Sequence, residues 1–435
     1  MLADIGLSSL DELFDVVPEA LRLAGGLDLP DGMPEPDVLA EMERLAARNR
    51  SGQDLLCFAG AGAYDHEVPS ATKRLTFRSE FVTAYTPYQP EVAQGVLQAL
   101  FEYQTLVSRL SGLPIANASL YDGASAAVEG LNLAVAAKRR QTVWVSGGVH
   151  PHWRAVLQTF AAGTGHVLVD VPLRDGVTDW SAAPAGEPPA ALLVSTPNFL
   201  GAFEDLRTAR SVADANDALL IAGFDPVSAG LLHPPGELGA DVVVGEGQPF
   251  GTPLSFGGPY LGLFAVRAEQ VRRLPGRLVG RTVDTEGRPA YVTTLRAREQ
   301  DIRREKASSN VCTNQTLIAV ACMIQLSWLG TAGLREMALR CARGTRYTRE
   351  ALTAIPGVEL VADAPTLREF ALRLPVPAET VIERMADEGF LAGVAVGVEG
   401  GEVKMSGPDL LVAVTERRTR AEIDSYVSCF EKVVR

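Results

Sequence analysis

The spacing of apolar positions changes along the chain, and each change marks a boundary. Near the start, Leu10, Leu13 and Phe14 follow Ser9 and Glu12, which stand in capping-box spacing, and Pro18 suits the first turn of a following helix. Gly25, Gly26, Pro30, Gly32, Pro34 and Pro36 break that pattern, after which Val38, Leu39, Met42, Leu45 and Ala46 recur at helical spacing. From Pro90 onward, Val96, Leu97, Leu100, Phe101, Val107 and Leu110 mark one face of a long helix that Gly112 and Pro114 bring to an end. Short apolar runs follow at residues 143–145, 166–171, 191–195, 218–222 and 241–244, separated by helix-length segments. This alternation predicts a parallel sheet wrapped by helices. Residues 261–266 arrive after only a short glycine-rich turn, leaving no room for a crossover helix, so that strand is expected to run antiparallel.

Residues 279–304, rich in Arg, Thr and Gly, read as a surface run ahead of an apolar helix over 317–329. Beyond Pro356 the elements shrink: strands near 358–360, 370–374 and 410–414, a helix near 379–388 and a last helix from Arg420. The expected organisation is a helical N-terminal arm over 1–60, a large α/β domain over 61–310, and a helix with a small C-terminal α/β domain over 311–435.

Composition narrows the function classes. Forty Lys plus Arg against 53 Asp plus Glu leave a net charge of −13, a field that repels phosphate backbones and anionic lipid, so neither nucleic acid nor a membrane surface is an expected partner. The five cysteines (Cys57, Cys312, Cys322, Cys341 and Cys429) are scattered without a C-x-x-C pair, which points to neither a disulfide framework nor a metal site and fits a reducing cytoplasm. The start lacks a basic segment followed by an apolar core, and no uninterrupted apolar run reaches membrane-spanning length. Lysine is scarce: Lys73, Lys138, Lys306, Lys404 and Lys432 are all there is.

The G-x-G at Gly60 and Gly62 leads into Tyr64-Asp65-His66 and Pro69, without the strand-loop-helix setting and third glycine of a dinucleotide site. Tyr121-Asp122-Gly123-Ala124-Ser125 opens a helix running to Lys138. Its free N–H groups and small residues suit a phosphate cradle, or Asp122 and Ser125 simply cap the helix. His150, near His152 and past a strand end, suits stacking on a planar ligand or a proton relay, or satisfies a local hydrogen bond. Asp225, at another strand end, suits a protonated ring nitrogen, or starts a turn with Pro226.

That order is the one expected of pyridoxal-phosphate enzymes with the aspartate aminotransferase-like fold (fold type I), whose mostly parallel large-domain sheet is of the seven-stranded kind. Such enzymes hold the cofactor as an imine on a lysine after the strand that follows the Asp. Here the segment reads Gly245-Glu246-Gly247-Gln248-Pro249, and the amide of Gln248 cannot form an imine. No lysine stands in its place, so Ser125, His150, Asp225 and Gln248 read as a pseudo-cofactor site and no catalytic residue is assigned within this chain alone.

Several longer segments carry a more specific likeness. Thr83-Ala84-Tyr85-Thr86-Pro87-Tyr88-Gln89-Pro90-Glu91, the Tyr121 to Ser125 loop, the Gly245 to Pro249 segment, Ser255-Phe256-Gly257-Gly258-Pro259-Tyr260 and Ser309-Asn310-Val311-Cys312-Thr313 closely resemble the P-protein of the glycine cleavage system. The resemblance is to the N-terminal half of that protein, in many bacteria a separate alpha subunit. It implies glycine decarboxylation on pyridoxal phosphate, with transfer of the aminomethyl group to the lipoyl arm of H-protein. It also implies that a homologous second subunit carries the lysine and the cofactor, none being covalently bound here, in an α2β2 heterotetramer in the cytoplasm. Paired subunits of this fold close one another's active sites, which makes Tyr85, Tyr88 and Gln89 candidates for reaching the partner's pocket, or else stiffeners of an interface. Asn310 is either a fourth such contact or a helix cap. The competing readings are a self-sufficient pyridoxal-phosphate decarboxylase or aminotransferase, which needs the missing lysine, and a noncatalytic scaffold paralogue.

Overall fold

Short apolar runs cannot complete a helix, and here they pair into a sheet of seven strands. Across it the order is Ile115–Ala116, Gly262–Val266, Val242–Glu246, Leu219–Phe224, Ala191–Thr196, Thr142–Ser146 and Val167–Val171. The computed structural model describes residues 1–23, 26–52, 54–82, 86–295, 307, 309 and 311–435. Neighbours pair in parallel except Gly262–Val266, which is antiparallel to both of its neighbours, as its short connection requires.

Both faces of the sheet are covered, so successive side chains enter different cores. Val143, Val145, Leu193 and Ile221 pack with Ala127, Leu131 and Leu157 of helices Gly123–Lys138 and Pro151–Thr164. Trp144, Leu192, Val194 and Val243 pack on the other side with Leu97, Leu100, Ala209 and Val320, from helices Gln94–Ser111, Leu206–Ala215 and Thr316–Thr353. Each fully buried Leu, Val or Ile contributes about 1.5–3 kcal/mol by leaving water. Gly112, with φ of +71°, ends the long helix as its sequence predicts.

The helix predicted over 317–329 runs much further, Thr316–Thr353, with a break at Gly330, where φ is +59° and ψ −174°. By length and composition it would also suffice to cross a membrane, which corrects the expectation that no segment would; Ala319, Val320, Cys322, Met323 and Leu326 on it are committed to the protein core. Part of the predicted surface run is an antiparallel hairpin, Leu278–Val283 with Pro289–Thr294. At its turn the Asp284 carboxylate accepts N–H bonds from Glu286 and Arg288. Most of the hairpin's side chains are half-buried or exposed, which leaves little alternation to read in the sequence.

The C-terminal part forms a four-stranded antiparallel sheet in the order Glu359–Leu360, Glu369–Arg373, Glu402–Ala413 and Val394–Glu399, with helices Ala378–Asp387 and Arg420–Val434. Leu56–Cys57 adds a parallel pairing to Phe390–Leu391, and the Phe58 ring stacks on Tyr426 at 3.9 Å. Residues 56–58 therefore belong to this layer, and the compact unit begins at Asp54 and runs to Arg435, whereas the arm was expected to extend to residue 60. Residues 1–53 form a unit of their own, with 3-10 turns Ala3–Ile5, Asp11–Phe14 and Glu19–Leu21 and the helix Glu35–Ala46. None of those elements buries a residue. Ser8, instead of Ser9, supplies the bonds to Glu12.

Candidate functional site

A cleft opens where the C-terminal ends of the central strands face the small-sheet strand Glu369–Arg373. Its walls include Tyr64, His150, Trp153, Ser195, Asp225, Glu246, Arg368 and Glu369. Of the predicted pseudo-site, His150 and Asp225 line it, whereas Ser125 and Gln248 do not.

His150 sits just ahead of helix Pro151–Thr164, where its Nδ1 accepts the His152 N–H at 3.0 Å. Its Nε2 is 2.8 Å from the Ala61 carbonyl oxygen, so Nε2 carries the proton and donates it. With both nitrogens committed, the ring is neutral; burial pushes its pKa down to about 4. Asp225 does cap the turn Pro226–Gly230, accepting the Val227 N–H at 3.0 Å. Its other oxygen lies 2.8 Å from Arg368 Nε, a close charge contact whose N–H points off the line of a good hydrogen bond. The same guanidinium lies 3.5 Å from the centroid of the Tyr64 ring and donates to His66 Nε2. The position where a ring nitrogen is expected therefore holds a cation of the protein itself.

The helix opening at Gly123 tells a similar story. Asp122 accepts the Ser125 N–H at 2.7 Å, so the capping reading holds there. The Gly123 N–H donates at 3.0 Å to Glu246 Oε2, while Glu246 Oε1 accepts from Gln248 N–H at 3.1 Å and Leu261 N–H at 2.9 Å. Glu246 is enclosed except toward the cleft, where it stays partly exposed; burial pushes its pKa up to about 8 against the pull of those N–H groups. Trp153 covers the same corner so closely that a Cβ at position 123 would lie 2.2 Å from its ring.

Gln248 is fully buried and its amide is fully used. Its oxygen accepts the Tyr64 N–H at 3.0 Å, and its NH2 donates to the Tyr64 and Thr252 carbonyls, each at 3.0 Å. Pyridoxal phosphate therefore does not fit this cleft: the anchoring position is a satisfied amide, the helix start holds Glu246, and Asp225 is paired.

Tyr88 is 57% exposed, with its ring 5.5 Å from the Arg277 guanidinium, and Gln89 is exposed ahead of the turn Pro90–Val92. Neither lines the cleft. Tyr85 and Asn310 lie outside the described residues. The sequence reading missed Tyr64, Glu246, Arg368 and Glu369. A usable signal was Leu367-Arg368-Glu369-Phe370-Ala371-Leu372, where two charges precede an otherwise apolar strand. A further group, His66, Cys341 and Glu416, places its donor atoms within 4.8 Å of one another. There His66 Nδ1 donates to Glu416 at 2.6 Å and the Cys341 thiol to the same oxygen at 3.5 Å, while Arg368 holds the other histidine nitrogen.

Glu369 is buried, accepting the Ala61 N–H at 2.6 Å and the Tyr64 hydroxyl at 2.8 Å; burial raises its pKa from 4.5 to about 7. The folded state thus holds this proton more tightly than the unfolded state does. Its contribution to stability is complete below about pH 4.5 and is lost as pH rises through about 7, a span corresponding to about 3 kcal/mol. Glu369→Gln is expected to remove about 3 kcal/mol of the decline in stability across that window. Urea unfolding of both proteins at pH 5 and pH 8 measures this, and an undiminished decline in the variant would contradict it.

Known proteins agree with the fold. The family described as glycine cleavage system P-protein matches residues 1–430. A probable glycine dehydrogenase (decarboxylating) subunit 1 from Moorella thermoacetica is 48% identical, covering 100% of this chain and 97% of that protein. Its namesake from Prosthecochloris aestuarii is 47% identical, covering 98% and 96%. Among solved structures, glycine decarboxylase (P-protein) of the glycine cleavage system, in inhibitor-bound form, matches with a TM-score of 0.91 at 44% identity, covering 100% of this chain and 97% of that one. Glutamate decarboxylase from Lactobacillus brevis, 12% identical with a TM-score of 0.70 and 97% of each chain covered, shares the fold.

Proposed function

The chain belongs to the glycine cleavage system P-protein family, and on that premise we propose that it is the cofactor-free half of a two-chain glycine decarboxylase. It serves the enzyme as subunit 1 of a glycine dehydrogenase (decarboxylating). The homologous second subunit supplies the lysine and pyridoxal phosphate, and the two chains assemble as an α2β2 heterotetramer in the cytoplasm. Their product, the aminomethyl group of glycine, passes to the lipoyl arm of H-protein. The observation that carries this reading is Gln248: the place of the imine-forming amine is taken by an amide enclosed by protein and bonded through both of its ends.

A subunit without its own chemistry contributes walls, orientation and water exclusion to its neighbour. Tyr88 and Gln89, exposed on the segment upstream of helix Gln94–Ser111, suit that role, and Tyr85 of the same segment is proposed with them. Asn310 is proposed as a fourth contact.

Mixing this chain with the lysine-bearing homologue and following carbon dioxide exchange with glycine tests the reading. Exchange is expected only from the mixture. Exchange by this chain alone, or an imine absorption band on it that borohydride abolishes, would restore the self-sufficient enzyme. Full activity of the homologue without this chain would make it a scaffold. In the assembled complex, Tyr88→Phe or Tyr85→Phe is expected to lower exchange about tenfold, the effect of one lost hydrogen bond to a charged group, with assembly by gel filtration unchanged. Wild-type rates in both variants would remove these residues from the site.

A further inference from the structure

We propose that this chain keeps its cleft closed to phosphate esters with its own side chains, the Glu246 carboxyl standing where an anion would sit at the start of helix Gly123–Lys138 and Arg368 standing where a cation would sit on Asp225. This goes further than the missing lysine. Loss of an amine removes a covalent bond, but an intact pocket would still hold a phosphorylated ring by its phosphate and ring nitrogen. Here both of those places are filled.

The argument rests on what buried polar groups require. A helix start directs unpaired N–H groups outward, and an Asp at a strand end is costly when buried without a counter-charge. A bound phosphate ester with a protonated ring would satisfy both at once; without one, the protein must do so itself. The Glu246 carboxyl gathers N–H groups from three separate segments, Gly123, Gln248 and Leu261, a donor set of the kind that binds a phosphate oxygen. Arg368, just ahead of the small-sheet strand Glu369–Arg373, is 5% exposed and reaches across to Asp225, itself 10% exposed, with Tyr64 against its flat face. Neither is a loose surface group that a ligand would push aside at little cost: displacing Glu246 strands a carboxyl, and displacing Arg368 strands a guanidinium.

The inference deepens the cofactor-free reading and rests on it. Its test is titration of the full chain with inorganic phosphate and, separately, with pyridoxal 5′-phosphate, followed by calorimetry and by phosphorus NMR line width. Wild type is expected to show no saturable uptake of either up to about 10 mM, meaning an affinity weaker than about 3 kcal/mol. Glu246→Ser and Glu246→Ala free the N–H groups and are expected to take up phosphate saturably, with a thermal stabilisation that grows with phosphate concentration. Glu246→Gln fills the same space and is expected to stay closed. Saturable uptake by the wild type that Glu246→Gln leaves unchanged and that competes with pyridoxal phosphate would overturn the proposal, even where the smaller variants do not fold. Folded Ser and Ala variants that bind no more phosphate than wild type would also overturn it, while leaving the two-chain requirement standing. An imine on the wild-type chain would remove both.

Discussion

Arg368→Met is expected to destabilise the chain by about 3 to 5 kcal/mol, the range for removing one partner of a buried ion pair. The methionine fills much of the volume, so the loss is electrostatic before it is steric. Asp225 would be left at a strand end with one N–H bond, from Val227, and no counter-charge. The Tyr64 ring would lose the cation against its face, and His66 Nε2 would lose its donor. Adding Asp225→Asn neutralises the stranded carboxyl, so the double variant is expected to be less destabilised than the sum of the single changes, with a coupling of about 1–3 kcal/mol. Urea denaturation of the four proteins with comparable slopes measures this. Strict additivity would show that Arg368 and Asp225 sit together without mattering to each other.

Gln248→Lys is the second large effect. Introducing the amine that the fold lacks is expected to lose at least about 3 kcal/mol of stability and to yield no imine with pyridoxal phosphate. Position 248 offers two carbonyl acceptors, from Tyr64 and Thr252, but it also holds the Tyr64 N–H, which an ammonium cannot accept. An ammonium there is enclosed by protein, so its pKa falls and much of the cost is met by shedding the proton. Even a neutral amine that reached into the cleft would find its anion and cation places taken. Absorbance near the imine band, with thermal unfolding alongside, decides the matter. A stable variant that forms a borohydride-sensitive adduct would show that only the amine was missing.

The large domain was legible because its central strands are buried on both faces and therefore read as unbroken apolar runs: Val242-Val243-Val244 and Leu219-Leu220-Ile221-Ala222 leave few other options. The antiparallel strand was legible from connection length alone. The hairpin Leu278–Val283 with Pro289–Thr294 was not, because residues such as Arg281, Thr282 and Thr293 sit partly in water and give no alternation. The absence of a lysine at position 248 was visible in the letters, but its consequence was not. Arg368 meets Asp225 only once two sheets have come together, and sequence spacing carries no trace of that meeting. Glu246 was read as one letter of a motif; only the placement of Gly123 and Leu261 around it gives the carboxyl a purpose. The arm shows the reverse: its helix Glu35–Ala46 was plain from periodicity, yet no residue of it is buried, so its apolar face is unexplained by the helix itself.

On the proposed two-chain reading, the separate pairings inside the cleft make the division of labour hard to undo. A lineage that regained an amine at position 248 would gain nothing until Glu246 and Arg368 had also changed, and each change made first leaves a polar group stranded in the interior. Natural selection would meet a valley on every single-step route back. Dependence on a second chain would then persist as a ratchet, held in place by stability whether or not separate genes confer any benefit.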